Sequence, residues 1–151
     1  MEIGMLGTSY DRGYIISNGD CGAVNRLLRQ LNPKAPERTR ADLESRLNRI
    51  NRNGGVAIVR DANGNIVAMG TWTVIPTLMR TTAFASEVSF DQGHPEWQRF
   101  LKELLRYFIG RAKEAGAERI DLTWNKTRPG YEIFLDLGFT EPDTRSLRLI
   151  F

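Results

Sequence analysis

Few side chains in this sequence can do chemistry by themselves, and their scarcity is informative. There is one cysteine, Cys21, and one histidine, His94, in 151 residues. A lone cysteine makes no internal disulfide and no cysteine metal cluster, and no metal site is expected. A nucleophilic thiol needs a base beside it, and the single histidine is the sole candidate. Without that pairing Cys21 reads as a buried thiol. Charge gives a second lead. Eight basic residues (Arg26, Arg29, Lys34, Arg38, Arg40, Arg46, Arg49, Arg52) face three acidic ones (Glu37, Asp42, Glu44) between positions 26 and 52. That segment carries +5 of a net +3, hence −2 for the rest of the chain. Such a run is either a solvated helical face or a contact surface for an acidic protein or other acidic partner. No aromatic residue interleaves it and no nucleic-acid module is present, so nucleic acid is not the expected partner.

These residues must be carried by a core, and the composition allows one. Hydrophobic residues make up 41% and charged residues 26%, as in globular chains. The length suits a single domain over 1–151. No apolar run could span a bilayer and the first residues do not resemble a secretion signal. No membrane association and a cytoplasmic, reducing compartment are expected.

Periodicity divides the chain. Tyr14-Ile15-Ile16 predicts a first strand. Asp20 can cap a helix with Val24, Leu27, Leu28 and Leu31 on one face, stopped by Pro33. Thr39 followed by Asp42 predicts a second helix start, with Leu43, Leu47 and Ile50 on its apolar side and Gly54-Gly55 at its end. Val56–Val59 and Ile66–Ile75 around Asn63-Gly64 read as a hairpin, and Thr81–Phe90 as the next antiparallel strand. The strongest helix signal runs from Trp97 to Ala112 at three- and four-residue spacing, with Pro95 in its first turn and Gly116 beyond its end. A strand at 119–124, a short helix at 131–137 and a last strand at 147–151 complete the order. The crossover through the long helix makes its flanking strands parallel and right-handed. The fold class is α/β of the α+β type.

The second half carries a family resemblance. Ala112-Lys-Glu-Ala-Gly-Ala-Glu-Arg-Ile-Asp-Leu-Thr123, then Asn125, then Phe134-Leu135-Asp136-Leu137-Gly138-Phe139, together with Glu87-Val88-Ser89-Phe90-Asp91, resemble the GCN5-related N-acetyltransferases (GNAT). The resemblance implies a mixed, mostly antiparallel twisted sheet with flanking helices. It also implies two central strands, 81–90 and 119–124, splayed around acetyl-CoA. Cofactor contacts would come from Val88, Ser89, Phe90, Gly93, His94, Arg99, Asn125 and Phe134. In the family a glycine-rich loop cradles the pyrophosphate at the start of the long helix, where free N–H groups and the helix dipole favour anions. Here that stretch, 91–99, holds one glycine, Pro95 without an N–H, and the carboxylate of Glu96. Weak or altered acetyl-CoA binding follows.

The resemblance also frames the catalytic residues. The family's tyrosine acid corresponds to Phe134, which has no proton to give. Tyr131, three residues earlier, is the substitute acid or else a packing residue. Glu87 is the candidate base for a primary amine on a small molecule or a protein, or else an outward strand residue paired with an arginine. Acetyl transfer to an amine is therefore one expectation. The alternative is a catalytically impaired chain that binds a protein through its basic first and second helices.

Overall fold

The computed structural model describes residues 1–151. β1 (Glu2–Met5) opens the chain, followed by β2 (Thr8–Tyr10) and β3 (Gly13–Ile15), which pair only with each other. The strand read at Tyr14–Ile16 thus falls largely in this side hairpin, and β1 takes the outer place in the main sheet. Its alternating pair, Ile3 and Met5, is too short a pattern to register.

α1 (Asn18–Leu31) is capped by Ser17, whose side chain accepts from Asp20 N at 3.1 Å. Asp20 is therefore not the cap. It sits in the first turn and pairs with Arg60 at 2.8 Å. α2 (Arg40–Ile50) starts at Thr39, whose hydroxyl accepts from Asp42 N at 3.1 Å, as the sequence predicts. Gly54 and Gly55 open β4 (Gly54–Arg60) instead of closing α2.

β5 (Ile66–Pro76) and β6 (Thr81–Phe90) follow as antiparallel neighbours, then α3 (Trp97–Glu114), β7 (Arg119–Leu122) and α4 (Tyr131–Asp136). Pro95 lies in the turn before α3 and not in its first turn. The sheet order is β1-β4-β5-β6-β7, antiparallel except for the parallel β6–β7 pair. That exception is the crossover through α3.

Helices cover both faces. α3 buries Phe100, Leu101, Leu104, Leu105 and Phe108 against Ala57, Val59 and Phe90. On the opposite face Val24 and Leu27 of α1 and Leu43 and Leu47 of α2 pack on Val56, Ile58 and Met69. Burial on both faces is why β4 reads as an unbroken apolar run.

The predicted last strand does not form. Residues 147–151 pair with nothing, and Leu147 and Phe151 are fully exposed. β-propensity is local while a strand exists only through its partner, and β7 remains an edge. β7 also stops at Leu122, two residues short of the expectation.

Candidate active site

The site is built on an irregularity in β6. Between the pairs Met69–Ser89 and Thr71–Ser86, β5 has one residue, Gly70, and β6 has two, Glu87 and Val88. This is a β-bulge, and it re-aims a side chain. Glu87 adopts φ 53°, the only positive φ outside glycine in the chain. A non-glycine residue in that region costs about 1 kcal/mol and is held there by its surroundings. Opposite the bulge, a Cβ on Gly70 would lie 2.8 Å from the Phe108 ring and 3.4 Å from Val88 Cα, so β5 meets α3 there on a bare backbone.

Glu87 is exposed and turned to the α1–α2 face, where Oε2 accepts from Thr71 Oγ1 at 3.2 Å. It lines a cavity of about 370 Å³. The walls come from Leu28 and Leu31 at the end of α1, Pro36 and Arg38 in the connection, and Arg46 on α2. Glu87 is thus not paired with an arginine; its described partner is a hydroxyl.

The other side of β6 opens as a gap. β7 pairs with β6 only from Thr82 to Ala85, so Ser86–Phe90 has no strand on that edge. Arg128 fills the gap. Its Nη1 donates to the Val88 carbonyl at 2.9 Å, and its guanidinium lies 4.2 Å from the Trp124 ring centre and 5.3 Å from that of Phe90. Nε and Nη2 are buried without partners. Burial pushes its pKa below the ordinary arginine value. The loop that delivers it is shaped by Asn125, whose Oδ1 accepts from Thr127 N and Oγ1. It closes at Gly130, where a Cβ would meet Leu101 at 2.8 Å.

The remaining candidates fall around this gap or away from it. Phe90 is fully buried and stacks on Trp97 at 5.0 Å. Ser89 is fully buried as well, and its hydroxyl donates to Leu27 O at 2.8 Å, which ties α1 to the sheet. Phe134 packs against Trp124 at 4.6 Å. Gly93 sits in the turn before α3, its N–H held by Asp91. His94 Nδ1 accepts from Glu96 N, and Nε2 is 4.0 Å from Asp61, so it organises the helix start and does not meet Cys21. Cys21 contacts Arg38 O and Asn25 instead.

Glu96 is the N-cap of α3 without a side-chain cap bond, and its carboxylate holds Arg99 at 2.8 Å. Arg99 is thus paired within the first turn of the helix. Tyr131 is exposed, and its hydroxyl donates to Glu141 at 2.7 Å. That hydrogen bond first, with burial and the Glu141 charge, holds its phenol above the ordinary range.

Part of the basic segment is matched internally, while Lys34, Arg49 and Arg52 form no ion pair. Arg38 and Arg46 share Asp42, Arg40 meets Glu44, and Arg29 meets Glu37. Arg26 donates to Ile66 O. No group of three or more His, Cys, Asp or Glu residues stands close enough to hold a metal, and no helix is long and apolar enough to cross a membrane.

No protein-family model matches the sequence, and no curated protein matches it. Solved structures match in fold over essentially the whole chain. An acetyltransferase from Trypanosoma brucei superposes with a TM-score of 0.78 at 17% identity, covering 99% of both chains. Glucosamine-6-phosphate N-acetyltransferase from Arabidopsis thaliana gives 0.78 at 15% identity, over 98% of this chain and 97% of that one. Ribosomal-protein-alanine N-acetyltransferase from Brucella melitensis gives 0.70 at 16%, with both chains fully covered. With its bulged, splayed central strand and the crossover through α3, this chain has the fold of the GCN5-related N-acetyltransferases.

Proposed function

We propose that this protein transfers an acetyl group from acetyl-CoA to a primary amine, with Glu87 as the base, in a cytoplasmic setting. The observation that carries the reading is Glu87 itself. A strained backbone puts its carboxylate into a cavity on one side of β6 while the other edge of the same residues lies open.

Acetyl-CoA would supply a thioester acyl group. Its extended pantetheine arm suits the unpaired edge at Val88–Phe90, where the Val88 carbonyl faces the gap between Phe90 and Trp124. The phosphate end is served poorly, since the start of α3 has neither the glycines nor a free arginine. Arg128 holds the Val88 carbonyl and must swing out for any other donor to reach it.

The chain's own work is then proton handling and positioning. An amine attacks only when neutral, and at pH 7 it is mostly protonated. Glu87, kept in place by Thr71, accepts the proton that the amine sheds. Phe134 cannot protonate the departing sulfur, and the Tyr131 hydroxyl is engaged with Glu141. Water can perform that step, because a thiol pKa lies near 8.5. The test is direct: purified protein, acetyl-CoA and a panel of primary amines, with acetylated product measured by mass. Absence of product from every amine would refute the reading.

A further inference from the structure

The cavity beside Glu87 carries charge of both signs on a largely aliphatic wall. Glu87 is its one acidic lining residue, and Arg38 and Arg46 are its basic ones. Asp42 stands behind these arginines and serves both. Arg38 Nη1 reaches Oδ2 at 3.2 Å, and Arg46 Nε reaches Oδ1 at 3.2 Å. One carboxylate between two guanidinium groups leaves one positive charge uncompensated. Arg46 uses only Nε for Asp42, and its two Nη groups have no protein partner. The fork that recognises a carboxylate is thereby oriented from behind and open in front.

The aliphatic part of the same wall includes Leu28, Leu31, Leu43, Leu47 and Met69. A volume of about 370 Å³ is at the small end of ligand pockets, with room for several methylenes and not for a folded segment. We infer that the cavity takes an amino acid-like acceptor: a primary amine at Glu87, an aliphatic body along the leucines, and a carboxylate at Arg46 and Arg38. This rests on the acetyltransferase reading for the fate of the nitrogen, but the binding itself does not.

The probes are 6-aminohexanoate and hexylamine, matched in length and differing in the carboxylate. In acetyl-transfer assays KM for 6-aminohexanoate should be roughly tenfold below that for hexylamine, the worth of about 1.4 kcal/mol at one end of the ligand. Arg46→Gln should bring the ratio close to one, and Arg46→Lys should keep part of it, which separates lost recognition from lost folding. A parallel NMR titration with 6-aminohexanoate alone, without CoA, reads binding independently of turnover. Saturable shifts in the cavity that vanish in Arg46→Gln support the site even if no amine is acetylated, in which case the acetyltransferase reading falls and the site stands. Equal KM values for both amines, or a preference that survives Arg46→Gln, overturns the acceptor class and leaves the acetyltransferase reading intact. Neither transfer nor titratable binding overturns the site as well.

Discussion

Replacing Arg128 by alanine removes the group that closes the gap beside β6. What holds it there can be estimated from its contacts. A charge-assisted hydrogen bond to Val88 O at 2.9 Å contributes about 1.5–3 kcal/mol. Two aromatic faces at 4.2 and 5.3 Å add about 0.5–1 kcal/mol each. Against these, Nε and Nη2 are buried unpaired, at about 1 kcal/mol or more apiece. The balance leaves about 1–2 kcal/mol in favour of the closed gap. A ligand that needs the Val88 carbonyl must overcome that balance, so Arg128→Ala should bind pantetheine roughly tenfold more tightly, by calorimetry. Pantetheine is the right probe because it lacks the phosphates that a displaced arginine could attract. The same free energy should appear as a stability loss of about 1–2 kcal/mol in urea. Unchanged or weaker pantetheine binding in the variant would refute the idea that Arg128 closes the gap.

Three further outcomes follow from the geometry. Glu87→Gly relieves the positive φ and should raise stability by about 1 kcal/mol, a Tm gain of about 2–4 °C, while abolishing any transfer activity; a drop in Tm would contradict the strain. Gly70→Ala drives a methyl into Phe108 and should lower stability by about 1–3 kcal/mol, read by chemical denaturation. The Tyr131 phenol is held above its ordinary range by Glu141, so its protonated form is favoured and persists to higher pH than a free tyrosine. Glu141→Gln should therefore shift the Tyr131 absorbance titration to lower pH, and an unmoved midpoint would show that the pair does not form in solution.

The sequence was most legible where pattern and partner coincide. α3 shows its full apolar stripe, and Thr39 its cap, because these are local statements that packing did not override. The final strand failed for the opposite reason: Leu147–Phe151 has the residues of a strand and no ladder to join. At the site, Glu87 comes forward as a candidate only through the family resemblance of residues 87–91, and its positive φ has no signal in the sequence. The bulge lies opposite Gly70, whose close approach to Phe108 of a distant helix is a contact no local pattern encodes. Arg128 was missed because an arginine among Asn125, Lys126, Thr127 and Pro129 reads as a solvated turn. Only the fold brings Phe90 and Trp124 to either side of it. The basic run from 26 to 52 reads as a uniform surface, and only the fold shows its three acids pairing with Arg29, Arg38, Arg40 and Arg46.

The central claim is that Glu87 takes a proton from an amine, and one kinetic comparison tests it most directly. Acetyl transfer to a primary amine is measured for the wild type and Glu87→Gln across pH 6 to 10. Glutamine keeps the shape and removes the basicity, so the rate at pH 7 should fall by about 10²–10⁴ and recover partly as free amine becomes abundant at high pH. A rate that Glu87→Gln leaves untouched at every pH would make Glu87 a strand residue with an unusual backbone and nothing more.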